Sequence, residues 1–140
     1  MRNMDDIMDL IEKLLKEKEI WEILKMSIKE LVEELGRKFK VIISVETLKM
    51  AWNYEEKHVK MYSFAEAIEW AKTNMPNDIN GVVILKELSE DGHIRLHICY
   101  LDQDEVPLLG GSHPHLDVYA KSIDNELQYN FGDKDLLVLR

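Results

Sequence analysis

The sequence predicts an α+β fold: one domain, residues 1–140, with a mostly antiparallel β-meander packed on one face by helices. The helices are an N-terminal long helix, or two helices, and a second helical segment near 64–75. Three observations predict this. Apolar residues recur at steps of 3 and 4 through residues 1–38. A capping-box pattern opens the segment at 63–66. Beyond residue 76, apolar and polar residues alternate in short runs separated by turn signals. At 140 residues and 46% hydrophobic, the chain suits a single self-sufficient core.

In residues 1–38, Ile7, Leu10, Ile11, Leu14 and Leu15 form one stripe and Trp21, Leu24, Ile28, Leu31 and Leu35 a second. The run Lys16–Glu19 between them is either a solvated face or a break, and Gly36 fits a C-terminal cap. Residues 39–75 read as strand or hairpin, then helix. The β-branched run 41–45 predicts a buried strand, and alternation at Leu48, Met50, Trp52 and Tyr54 favours a hairpin over 46–57, with a helix as the alternative. Ser63 and Glu66 cap the helix that Pro76 stops.

Residues 76–140 read as antiparallel β, with strands at 82–88, 93–101, 115–121, 127–131 and 136–139. Glu90-Asp91-Gly92 makes the first turn, and a loop over 102–114 carries Gly110-Gly111. Strand residues alternate sides. Ile94, Leu96, Ile98, Leu116 and Val118 therefore face the helices, while Arg95, His97, His115, Asp117 and Tyr119 share the uncovered side. If 127–131 is a strand, Gln128 and Asn130 join them.

That polar side is the candidate ligand site: Arg95, His97, His115, Tyr119, Gln128 and Asn130 supply donors and titratable groups for a small anionic ligand. No catalytic residue is assigned. Cys99 beside His97 lacks a third orienting group, and the histidines 93, 97, 113 and 115 lack a metal-ligand spacing, so neither metal nor cofactor is expected. No phosphate-binding or nucleophile-elbow motif occurs.

Charge says more. The chain has 18 basic and 27 acidic residues, a net of −9. Residues 76–140 hold 5 basic and 12 acidic, a net of −7. Duplex nucleic acid and anionic membranes would be repelled. A meander would gather Asp102, Asp104, Glu105, Asp133 and Asp135 at one end, a rim suited to a basic protein partner. A single cysteine and an acidic, amphipathic N-terminus predict a cytoplasmic chain. Ile7, Leu10, Ile11 and Leu14, left without cover, would support a homodimer through the N-terminal helix. The expected function is a non-catalytic acidic binding protein that inhibits or neutralises a basic partner, of the immunity-protein, antitoxin or phage counter-defence type. The alternative is a small-ligand protein or enzyme using the polar side of the sheet.

Overall fold

A computed structural model describes residues 4–89, 91–109 and 113–140; the predicted turn position Glu90 and the loop signal Gly110-Gly111 lie outside them. Among the described residues the chain forms one α+β domain of six helices and a six-stranded mixed sheet.

The helical third breaks twice. The break at Lys16–Glu19 ends α1 (Met4–Glu17), and α2 (Ile20–Lys25) follows. Ser27 then caps α3 (Ile28–Phe39), its hydroxyl accepting from the Glu30 N–H at 3.1 Å. Gly36 is not the cap: α3 runs past it to a left-handed Lys40. Instead Gly36 lets the chain fold back closely, since a Cβ there would sit 3.1 Å from the Val41 carbonyl. The run 41–45 is not a strand. Val41 and Ile43 point inward and Ile42 outward, but the segment has no ladder partner among the described residues. Ser44 accepts from the Thr47 N–H and starts α4 (Val45–Ala51), so the helical alternative holds over the first half of 46–57, a strand begins at Tyr54, and the hairpin does not form.

The stripe Ile7, Leu10, Ile11 and Leu14 is buried within the chain, packed with Leu31 and Leu35 of α3 and Leu48 of α4. Its burial removes the reason for a homodimer through the N-terminal helix.

β1 (Tyr54–Tyr62) leads into α5 (Phe64–Thr73), where the Ser63–Glu66 capping box forms in both directions. β2 (Gly81–Leu88) and β3 (Ile94–Leu101) make the expected hairpin, with Gly92 at φ 83°. The two-residue β4 (Pro107–Leu108) pairs with β3, and β5 (His115–Ile123) follows. Residues 127–131 are not a strand but part of α6 (Asn125–Phe131). Asp124 caps it, accepting from Leu127 N–H at 2.9 Å, and Leu127 and Phe131 bury together one helical turn apart. β6 (Leu136–Leu139) completes the sheet.

Strand order is β1-β5-β3-β2-β6, antiparallel except for the parallel pair β1–β5. One face packs as predicted: Leu96, Ile98, Leu116 and Val118 meet Ala67 and Ala71 of α5 and Leu127 and Phe131 of α6. The other face, expected to be open, is covered as well. Leu24 of α2 packs on Val83, Leu85, Cys99 and Leu101. The N-terminal helices and α5 therefore lie on opposite sides of the sheet.

Candidate functional site

Covering the second face buries the polar residues that the sequence had assigned to solvent. His97 is 1% exposed, Asp117 3% and Arg95 8%. Register explains how they meet. His97 of β3 lies opposite Asp117 of β5, and Arg95 lies opposite Tyr119 on one side and Glu87 of β2 on the other. On β1, Tyr54 lies opposite His115.

Asp117 is the hub. Its Oδ1 lies 2.6 Å from His97 Nδ1, and its Oδ2 accepts from Arg95 Nη2 and from Tyr54 Oη, both at 2.7 Å. Arg95 also donates to the Lys25 and Met26 carbonyls at 2.9 and 2.7 Å, satisfying the C-terminal end of α2. One guanidinium thus ties the helical layer to the sheet. His97 Nε2 stands 3.6 Å from Glu87 Oε1, just beyond hydrogen-bond distance, and neither atom has another partner among the described residues.

The electrostatics are those of a balanced buried cluster. Burial alone would raise the Asp117 carboxyl, but His97 and Arg95 outweigh it and hold the group below the usual carboxylate range. Burial alone would lower the His97 imidazole, yet Asp117 and Glu87 together raise it. Glu87 is itself held low, mainly by His97. Arg95 and, when protonated, His97 therefore face the carboxylates of Asp117 and Glu87, opposite charges that offset the cost of burial.

His115 sits apart from this cluster. Its ring packs edge-on against Trp52 at 4.6 Å, and its Nε2 lies 3.0 Å from the Trp52 carbonyl. Burial pulls its pKa down to about 4. In the neutral form it can donate to that carbonyl.

Of the predicted ligand residues, the structure brings Arg95, His97 and His115 under one cover and leaves Tyr119 half-buried, its ring against Arg95 and stacked on His58 at 5.0 Å. Gln128 and Asn130 do not join them. They stand exposed on α6, which packs on the other face, and Asn130 donates to its own helix at the Glu126 carbonyl. Three members lay outside the predicted set: Asp117, which the sequence placed on this side of the sheet without assigning it to the site, Glu87 and Tyr54. Glu87 was legible once the Asp91-Gly92 turn fixed the hairpin, because that register sets it against Arg95. Tyr54 was not, because nothing local announces a parallel pairing with β5.

The acidic rim is divided. β6 runs antiparallel to β2, so Asp133 and Asp135 lie at the end near Lys86, while Asp102, Asp104 and Glu105 follow β3 at the end near Gly81. The helix at 125–131 replaces a meander strand and so puts the two acidic groups at opposite ends.

Chemically, the cluster is closed. The Asp117–His97 pair has the form of an oriented base, but its one bonded hydroxyl, that of Tyr54, is on Asp117, no hydroxyl or thiol among the described residues is bonded to His97 Nε2, and the buried Cys99 thiol is pushed well up by burial. Among the described residues, no group of three or more His, Cys, Asp or Glu is arranged to hold a metal ion, and no helix is long and apolar enough to cross a membrane. A groove of about 530 Å³ lies between β1 and α5, on the far face, walled by Tyr62 and Trp70. Comparison with family models, curated proteins and solved structures gave no match for this chain.

Proposed function

We propose that the chain is a non-catalytic, acidic binding protein of the cytoplasm that neutralises a basic protein partner, in the manner of immunity proteins, antitoxins and phage counter-defence proteins. One observation carries this reading. Among the described residues the Asp117–His97–Arg95 cluster is buried and consumed in holding α2 to the sheet, whereas Asp104, Glu105, Asp133 and Asp135 stand in solvent. With a net charge of −9, the surface offers a basic cleft the potential that a phosphate backbone would offer.

The test is capture by the immobilised chain at low salt and again at physiological salt, with the retained proteins identified and their activities assayed. Salt-sensitive retention of a basic protein whose activity falls on binding supports the reading. Retention of neutral or acidic proteins alone overturns it.

A second reading, a small-ligand protein or enzyme, has one observation in its favour. Glu87, beside the unpartnered His97 Nε2, lines a surface cleft of about 460 Å³ with Lys25, Lys86 and Asp135. A thermal shift on adding small anions that is lost in His97→Gln would favour it.

A further inference from the structure

We propose that the outer edge of β6 is the docking strand, where an extended segment of the basic partner, apolar at its centre and basic at both ends, adds to the sheet. This rests on the acidic-binding reading and says where on the surface it operates.

Among the described residues β1 and β6 end the strand order, with the two-residue β4 paired to β3 alone, and the two end strands differ. β1 is guarded by charge, with Glu55, Glu56, Lys57 and Lys60 along its length. β6 is Leu-Leu-Val-Leu and carries no charge between residues 136 and 139. Among the described residues its backbone has no ladder partner on the side away from β2. The Lys86 N–H donates to the Asp135 carbonyl at 2.7 Å, and residues 136–139 continue in register with 85–82. Hydrogen-bonded pairs alternate in an antiparallel ladder, so residues 135, 137 and 139 turn toward β2 and Leu136 and Val138 turn outward. The side chains of Leu136 and Val138 are 42% and 38% exposed, beside Leu85 and Val83 on the same face. An added strand would satisfy the outward N–H and C=O groups and cover both side chains.

Charge selects the occupant. Asp133 and Asp135 stand at the head of β6, and the Asp102–Glu105 loop stands at its tail, with Glu105 touching Arg140. With Glu87, six carboxylates stand around β6 against five cations, Lys25, Lys72, Lys86, Lys134 and Arg140. A segment basic at both ends meets a carboxylate group at each end. A second copy is the competing occupant, because antiparallel pairing of two β6 strands would set Asp135 of one opposite Arg140 of the other, and the test below separates the two.

Two synthetic peptides test this, Lys-Arg-Val-Thr-Val-Thr-Arg-Lys and a counterpart with Glu and Asp in place of the basic residues. Affinity is measured by calorimetry and the contact by backbone amide exchange. The basic peptide is expected to bind and to slow exchange at Leu136 and Val138, and the acidic peptide is expected to do neither. Val138→Pro removes an outward N–H while leaving every bond to β2 in place. Val138→Lys keeps the N–H but sets a cation in the strand. Each should weaken binding about tenfold or more, with thermal melts confirming that both variants fold. Protection elsewhere on the chain, or unchanged binding in both variants, overturns the docking strand. A self-association that Val138→Pro abolishes also overturns it, assigning the edge to a second copy. Applied to a basic protein captured as above, the same variants separate the two ideas. Capture that ignores Val138→Pro removes the docking strand alone, and failure to capture any basic protein removes the reading beneath it.

Discussion

His97 and Asp117 face each other in register on β3 and β5, and their side chains meet at 2.6 Å, Nδ1 to Oδ1. The pairing lets a polar sheet face lie under a helical layer. A strand that alternates polar and apolar residues normally leaves its polar side wet. Here the polar residues of neighbouring strands neutralise one another, and Arg95 uses its remaining donors on the carbonyls that end α2.

Removing the hub should therefore cost more than an ordinary polar deletion. Asp117→Ala leaves Arg95 and His97 buried with Glu87, at 4.0 and 3.6 Å, as the remaining counter-charge, and a loss of about 3 kcal/mol is expected from urea denaturation. Asp117→Asn keeps the volume but not the charge and should lose most of the same amount. A loss under about 1 kcal/mol in both would mean that the tie contributes little.

Stability should fall on both sides of a maximum near neutral pH. His115 is held down at about 4, so between about 6.5 and about 4 the unfolded chain takes up a proton that the folded chain excludes, and stability falls with pH. Asp117, lowered in the fold, adds to this acid limb as pH falls through its folded value. The raised His97 acts in the other direction. Its contribution is complete below the unfolded histidine value and is lost as pH climbs through the folded one. Denaturation midpoints across pH should show a flatter acid limb in His115→Gln and a flatter alkaline limb in His97→Gln.

Cys99 should be silent to thiol reagents while the chain is folded. It is fully buried, and burial pushes its thiol up, so it presents little thiolate. Labelling should proceed only at the rate at which the sheet opens and become stoichiometric in denaturant. Fast labelling of the native chain would mean that the α2 cover lifts readily.

The two acidic groups should act independently on the rate of partner association. Asp133 and Asp135 changed to Asn, and Asp102, Asp104 and Glu105 changed to Asn or Gln, should each slow association and raise dissociation little. Because the groups lie at opposite ends of β6, their effects should add. Stopped-flow mixing at low and physiological salt measures both, and an association rate indifferent to salt and to all five substitutions would count against steering.

What the sequence disclosed was what local chemistry controls. Ser63 and Glu66 announced α5, Asp91-Gly92 announced the hairpin, and alternation from Ile94 to Tyr100 sorted the faces of β3 correctly. Two ambiguities resolved the other way. Leu127, Tyr129 and Phe131 satisfy a strand period, but Leu127 and Phe131 also satisfy a helical one, and the Asp124 cap decided between them. The run 41–45 has strand residues but no strand to pair with among those described. The site was half legible. Arg95, His97 and His115 were placed on one side, but whether that side was wet depended on where α2 docks, and Tyr54 depended on a partner far along the chain.

The parallel pairing of β1 with β5 sets an order of assembly. Tyr54 pairs with His115 across nearly half of the chain's length, whereas β2 and β3 close through one short turn. Loop-closure entropy makes the hairpin the early event and the β1 ladder a late one. Substitutions in β1 such as Val59→Ala should accordingly speed unfolding and leave the refolding rate nearly unchanged, while Ile84→Ala in β2 should slow refolding. During synthesis, the first 62 residues must wait, helices formed but one strand unpaired, until the residues that complete the sheet have emerged.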